Sequence, residues 1–253
     1  MRDRAVRADG AIPHERAAPT DVPATTRLRP TWVVAVSAMT FALCVAKART
    51  ADAAAWPRKE GQGFLSFNLR RTVDGPDFGD FGSLYYEYGL TERLTFGVDI
   101  GSNIATGQTK AIAFLRHPVM QSDGPDVFAV EMGVGLTDRQ AGKIFTLQPG
   151  LSWGRPVEGG WGRGWLGIEG KLALFEDSGS LRKIEATFGI NHDSGSLSIF
   201  QLIQSDPSGG PSSWAVEASH VVKLSERTFL DLGASYGFSQ APVVVKIGFW
   251  QIF

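Results

Sequence analysis

From Phe64 to the C-terminus, apolar and polar residues alternate one by one in segments of about ten residues, separated by Gly, Pro, Asp and Ser. A period of two puts successive side chains on opposite faces of a strand. Leu94, Phe96, Val98 and Ile100 alternate with Thr95, Gly97, Asp99 and Gly101. Phe128, Val130, Met132, Val134 and Leu136 alternate with Ala129, Glu131, Gly133 and Gly135. The same pattern runs through Leu166–Leu174, Lys183–Ile190 and Val245–Phe249. About twelve segments can be counted, beginning near Phe64, Gly82, Leu94, Ala111, Val127, Ile144, Gly164, Leu181, Leu197, Trp214, Thr228 and Val243. Alternation is blurred in those starting at Ala111 and Leu197. Pro149, which has no N–H to give a ladder, predicts a bulge or an irregular pair in the Ile144 segment. The expectation is an all-β fold, an antiparallel up-and-down β-barrel of about twelve strands over residues 56–253.

A soluble sandwich alternates too, so the choice of a transmembrane barrel rests on what the two faces carry. The polar face holds Glu87, Asp99, Glu131, Glu169, Lys171, Lys183, Glu185, Glu217, Asp231 and Lys246 deep within segments. A polar lumen tolerates such charges, whereas a dry core would require each to be paired at high cost. With Arg70 and Lys223 the expected lining is mixed in sign, seven acids against five bases. Aromatics cluster at segment ends: Tyr85, Tyr86 and Tyr88; Trp153, Trp161 and Trp165; Trp250 and Phe253. Rings of this kind suit a membrane interface. Thr91–Arg93, His192–Gly195 and Ser225–Arg227 read as tight turns on one side. Arg71–Asp80 and Ser205–Ser213 read as longer connections, while Pro118–Asp126 and Arg155–Arg163 are long for their places in the series and Glu176–Ser180 is short.

The first 55 residues differ in kind. They carry 8 Lys/Arg against 5 Asp/Glu, while the rest carries 17 against 21. Thr31–Ala46 is uncharged and mostly apolar, follows Arg27 and Arg29, and leads into the A-x-A-like exits Ala46–Ala48, Ala51–Ala53 and Ala53–Ala55. Basic flank, short apolar run and small-residue exit predict a secretory leader over residues 1–55. The run is shorter than the ~20 residues of a spanning helix. Cys44, the single cysteine, follows Leu43 rather than a small residue, which argues against a lipoprotein. The exported part carries no thiol, so pairing and packing alone hold it.

The last strand, Val243 to Phe253, resembles the C-terminal assembly signal of bacterial outer-membrane proteins. Phe253, Phe249 and Ile247, with Val245 and Val243, fit its pattern of a terminal Phe preceded by apolar residues at every second position. Gln251 departs from it. Tyr86–Gly97 resembles a strand–turn–strand unit of such barrels, and Leu224–Arg227 repeats its turn. The stretch Ala55–Phe64 is similar to the XagA-like barrels encoded near exopolysaccharide genes. The resemblance implies an outer-membrane location, with membrane lipid and the barrel assembly machinery as partners.

Catalytic parts are hard to find. Asn191-His192-Asp193-Ser194 places His, Asp and Ser side by side in a turn, where neighbours rarely converge as a triad. His220 and Ser219 are adjacent on a strand and point to opposite faces. No Cys/His spacing suggests a metal, no cofactor motif appears, and a net charge of −1 gives no sign of a nucleic-acid partner. The first expectation is therefore a non-enzymatic narrow channel for small solutes. A second is an accessory barrel with a self-filled lumen, serving export or assembly of a surface polymer. A third is an enzyme acting on the envelope.

Overall fold

The computed structural model describes residues 55–73, 80–121, 124–139, 142–238 and 243–253. The expected leader, apart from Ala55, lies outside them. The described chain forms β1 (Gly63–Thr72), β2 (Phe81–Gly89), β3 (Thr95–Asn103), β4 (Thr109–Gln121), β5 (Val127–Arg139), β6 (Gly142–Gly159), β7 (Gly162–Phe175), β8 (Ser180–Asn191), β9 (Leu197–Pro207), β10 (Ser213–Lys223), β11 (Thr228–Gly237) and β12 (Val244–Ile252). Each strand pairs with its neighbours in sequence, and β1 pairs antiparallel with β12 to close the barrel. Closure pairs every strand on both sides and leaves no open edge. Among the described residues no helix is long and apolar enough to cross a membrane.

The period-two pattern sorts cleanly into inside and outside. In β5, Val127, Ala129, Glu131 and Gly133 are buried, while Phe128, Val130, Met132, Val134 and Leu136 are exposed. Similar outward rows run along β7, β9 and β12: Leu166, Ile168, Leu172 and Leu174; Phe200 and Leu202; Val245, Ile247 and Phe249. An exterior built of large apolar side chains is a liability in water and a match for lipid. From Phe128 to Leu136 the row runs ~26 Å along the strand, or about 20 Å of height at a usual barrel tilt, near the ~25 Å apolar band of such barrels.

The tight turns Thr91–Arg93, His192–Gly195 and Ser225–Arg227 fall at the end that carries both termini, here called the terminal end. Two expected long connections are shortened by strand. β6 and β7 continue through Arg155–Arg163 and turn at Gly160-Trp161, and β4 runs on to Gln121 with a register shift between Pro118 and Met120. The β6–β7 ladder skips Gln148 and Pro149, the irregular pair expected from the missing proline N–H, while Pro149 still faces Met132 of β5.

At the terminal end the interior is apolar. Trp165, Leu197, Ile199, Val221 and Phe229 pack together there, with Trp56, Trp250 and Ile252 against them. Three aromatics expected at the membrane interface thus turn inward: Trp165, Trp250 and Tyr85. They sit on the same strand faces as Glu169, Lys246 and Glu87, so strand parity outweighs any preference of the ring for an interface. Trp161 stays on the outside, edge-on to Phe188 at 5.2 Å. The segment before β1 also closes this end. Trp56 and Ala55 lie against Gly154, where any Cβ would collide with the indole. The Arg58 N–H donates to Thr95 Oγ1 at 2.9 Å, and Glu60 bridges to Gly89.

Phe253 completes the seam. Its carbonyl accepts from the Gly63 N–H at 2.7 Å, its own N–H donates to the Gly63 carbonyl at 3.0 Å, and its ring stacks on Tyr86 at 6.1 Å. Deleting Phe253 removes the last closing pair of β1 with the β12 end. Outer-membrane levels of the deletion, read by immunoblot of isolated membranes, are expected to fall well below those of Gln108→Ala, a change in the β3–β4 loop. Equal levels would mean that the seam residue is dispensable.

Candidate functional site

Each of the ten charged residues expected on the lumen face lies on the inward face of its strand, and each is ion-paired. They gather into two balanced networks and two smaller pairs.

The larger network has at its centre Arg116, on β4. Its Nη1 lies 2.6 Å from Glu87 Oε1 and its Nη2 2.7 Å from Glu131 Oε2, with Glu169 at 4.0 Å. The Tyr85 hydroxyl accepts from Arg116 at 3.0 Å and donates to Glu87 at 2.7 Å. Lys171 joins Glu131 at 3.0 Å and Glu169 at 3.1 Å, and Arg58 reaches Glu87 at 2.6 Å. Three cations therefore meet three carboxylates. Arg116, Glu87 and Glu131 are almost wholly buried. Contacts from β4 to β2 and toward β7 skip intervening strands, so they are made across the inside of the barrel. Phe114 forms the floor of the network. It stacks on Tyr85 at 5.8 Å, places its ring 5.2 Å from the guanidinium, and lies flat across Gly97, where a side chain would displace it.

The second network spans the seam. Glu217 of β10 meets Arg70 of β1 at 2.7 Å and Lys246 of β12 at 2.7 Å, and Lys246 also reaches Asp231 of β11 at 3.0 Å. Two cations again balance two carboxylates. Lys110–Asp99 at 2.7 Å and Lys183–Glu185 at 2.9 Å complete the lining, and Gln201 donates to Glu185. Lys223 sits at the rim and pairs with Glu226 of the adjoining turn at 2.8 Å.

Sequence reasoning missed Arg58, Lys110 and Arg116. Arg116 lies in the blurred β4 segment, whose inward positions alternate Ile112, Phe114 and Arg116 against outward Ala111, Ala113, Leu115 and His117. The apolar residues there face both ways, so parity was not readable without the partner strands.

Two interior cavities flank the charged layer. One, of about 270 Å³, is lined by Arg58, Tyr85, Glu87, Gln201, Ser219 and Lys246 among others. The other, of about 170 Å³, is lined by Asp99, Lys110, Thr137, Thr146, Gln148 and Lys183 among others. Glu169, Lys171 and Glu185 border both. Trp165 Nε1, at the first cavity, is buried without a hydrogen-bond partner among the described residues.

No group of His, Cys, Asp and Glu suited to a metal ion occurs among the described residues. His192, Asp193 and Ser194 form a turn, not a triad. His192 Nε2 instead lies 2.8 Å from Ser198 Oγ, which is 3.1 Å from His220 Nδ1, all on the outer face. His220 does point away from Ser219, as its position on the strand requires, and its partner is the residue across the ladder on β9.

No family model and no curated protein matches the chain. Solved structures similar to it include an outer membrane channel of Pseudomonas putida F1, at 11% identity and a TM-score of 0.46 over 81% of this chain and 100% of that one. The anion-selective porin of Comamonas acidovorans is similar at 9% identity and a TM-score of 0.36, covering 76% and 98%. OprB of Pseudomonas putida is similar at 9% and 0.37, covering 76% and 91%. The membrane assignment rests on the barrel's own surface. A closed sheet with an apolar exterior and a charged interior is the architecture by which strands cross the bacterial outer membrane, and the protein is an outer-membrane β-barrel.

Proposed function

We propose that the protein is a narrow channel for small polar solutes, closed at its terminal end in the conformation described. The supporting observation is the pair of cavities in series, with polar and charged linings and a common border at Glu169, Lys171 and Glu185. At ~30 Å³ per water they hold about nine and about six waters. The lining charges are paired and balanced, so the lumen offers no single-sign field for ions. Neutral polar solutes fit such a tract better than either ion. The segment from Ala55 to Glu60, held by Gly154, Thr95 and Glu87, acts as the stopper. In this reading the leader is removed on export, the assembly machinery recognises the strand ending in Phe253, and the terminal end faces the periplasm.

The test unseats the stopper. Purified barrel in a planar bilayer is expected to show low conductance, and Trp56→Ala/Arg58→Ala is expected to raise it together with sugar permeation in liposome swelling. Closed behaviour in both proteins would remove the channel reading. It would favour a second one, an accessory barrel for surface-polymer export, which draws support from the interior filling by Phe64, Trp165, Leu197, Ile199, Val221 and Phe229.

A further inference from the structure

On the outside of β8–β11 a polar cluster sits at one end of an apolar groove. The cluster is Ser198 between two imidazoles, His192 Nε2 at 2.8 Å and His220 Nδ1 at 3.1 Å, with the rings 5.6 Å apart. Ser198 and His220 are on the outer face, because their strand neighbours Leu197, Ile199, Ser219 and Val221 are buried inside, and His192, in the turn after β8, bonds to Ser198 there. A hydroxyl has one proton, so at least one of the two bonds at Ser198 is donated by an imidazole N–H. His192 Nδ1 and His220 Nε2 make no hydrogen bond with the described residues, so the cluster keeps ring nitrogens for an outside partner.

The groove, about 710 Å³, starts two positions further from the terminal end. Ala186, Ala218 and Ala234 form its floor, and Ala218 faces both Phe200 and Ala234 across the ladders. Phe200, Val216 and Tyr236 stand at its sides, and Phe188 stacks on Phe200 at 6.4 Å. Two positions along a strand span about 7 Å, so head cluster and groove form one continuous surface.

We propose that this surface binds a phospholipid, its phosphate headgroup on His192, Ser198 and His220 and an acyl chain over the alanine floor. The face is in contact with membrane, so the occupant must itself be a membrane component. The imidazole that donates to Ser198 shows a bare nitrogen outward, and the one that accepts the Ser198 proton shows an N–H, from which a phosphate oxygen accepts. A tail gains little by moving from bulk lipid to the groove, since lipid is equally apolar. Its retention therefore depends on the head contacts and on the space the alanines leave.

Protein extracted from membranes in mild detergent is the sample, read by native mass spectrometry and by phosphorus assay of extracted lipid. Wild type is expected to retain about one phospholipid per barrel, and His192→Ala/His220→Ala and Ala218→Phe each to retain roughly tenfold less, with unchanged urea unfolding midpoints. Both variants alter exposed outward positions, so folding is left intact. Inorganic phosphate serves as the control. If it shifts the imidazole NMR signals while Ala218→Phe retains lipid like wild type, the cluster is an anion site without a tail and the proposal fails. Absence of phospholipid from wild type, equal retention in all three proteins, or a dimer mass that Ala218→Phe abolishes would also overturn it.

Discussion

Replacing Arg116 by Leu is expected to destabilise the folded barrel by about 3–5 kcal/mol, the range for leaving one side of a buried ion pair uncompensated. Glu87 would lose one of its two cations at 2.6 Å and Glu131 its closest cation, with Arg58 and Lys171 left as partial cover. The Tyr85 hydroxyl would lose a donor as well. The measurement is the urea unfolding midpoint of barrel refolded into lipid vesicles, followed by tryptophan fluorescence. Lys110→Met breaks a more exposed pair with Asp99 and is expected to cost less than ~1 kcal/mol. The triple change Arg116→Leu, Glu87→Gln, Glu131→Gln removes one cation and two carboxylates together, and is expected to recover part of the single-mutant loss. A neutral Arg116→Leu would mean that water reaches the network freely and screens its members.

The contrast between Arg116 and the outward rows explains what was legible in the sequence. β5 reads as a barrel strand because its faces differ sharply in composition: Phe128, Val130, Met132, Val134 and Leu136 outside, Ala129, Glu131, Gly133 and Gly135 inside. Seven of the ten expected lumen charges, Asp99, Glu131, Glu169, Lys171, Lys183, Glu185 and Lys246, came from alternating strands of this type, and every predicted strand start lies within two residues of an observed one. β4 and β9 are different because the interior changes character along its length. Near the terminal end Leu197 and Ile199 face inward to meet Trp165 and Val221, while Phe200 and Leu202 face lipid, so both faces are apolar and the period disappears. The inward turn of Trp165 and Trp250 has the same origin. The clustering of charges was beyond the sequence for another reason: Arg70 meets Glu217 from 147 positions away. Such a pair depends on closure through β12 and β11, which local patterning does not encode. The Ser198–His220 pair is likewise a cross-ladder neighbour, visible only once the β9–β10 register is known.

The two faces of β5 are expected to respond oppositely to charge. Met132 is the middle residue of the outward row and about half exposed, so Met132→Arg places a cation near the centre of the apolar band. The expected cost is about 2–4 kcal/mol, falling toward zero for the same change near the membrane edge, as at Trp161. One position away, Glu131 accepts from Arg116 Nε at 3.1 Å and Nη2 at 2.7 Å and pairs with Lys171 at 3.0 Å. Glu131→Gln keeps the shape and an acceptor oxygen but removes the countercharge, with a cost of ~1–3 kcal/mol expected from weakened charged hydrogen bonds. In a solvated lumen the change would be nearly neutral; burial beneath Arg116 makes it costly. Folding yield in vesicles of increasing thickness separates the two mechanisms. The Met132→Arg defect should worsen as the bilayer thickens and the arginine loses its path to the headgroups, whereas the Glu131→Gln defect should not depend on thickness. If Met132→Arg folds like wild type in every bilayer while Glu131→Gln tracks thickness, the inside–outside assignment of β5 is reversed.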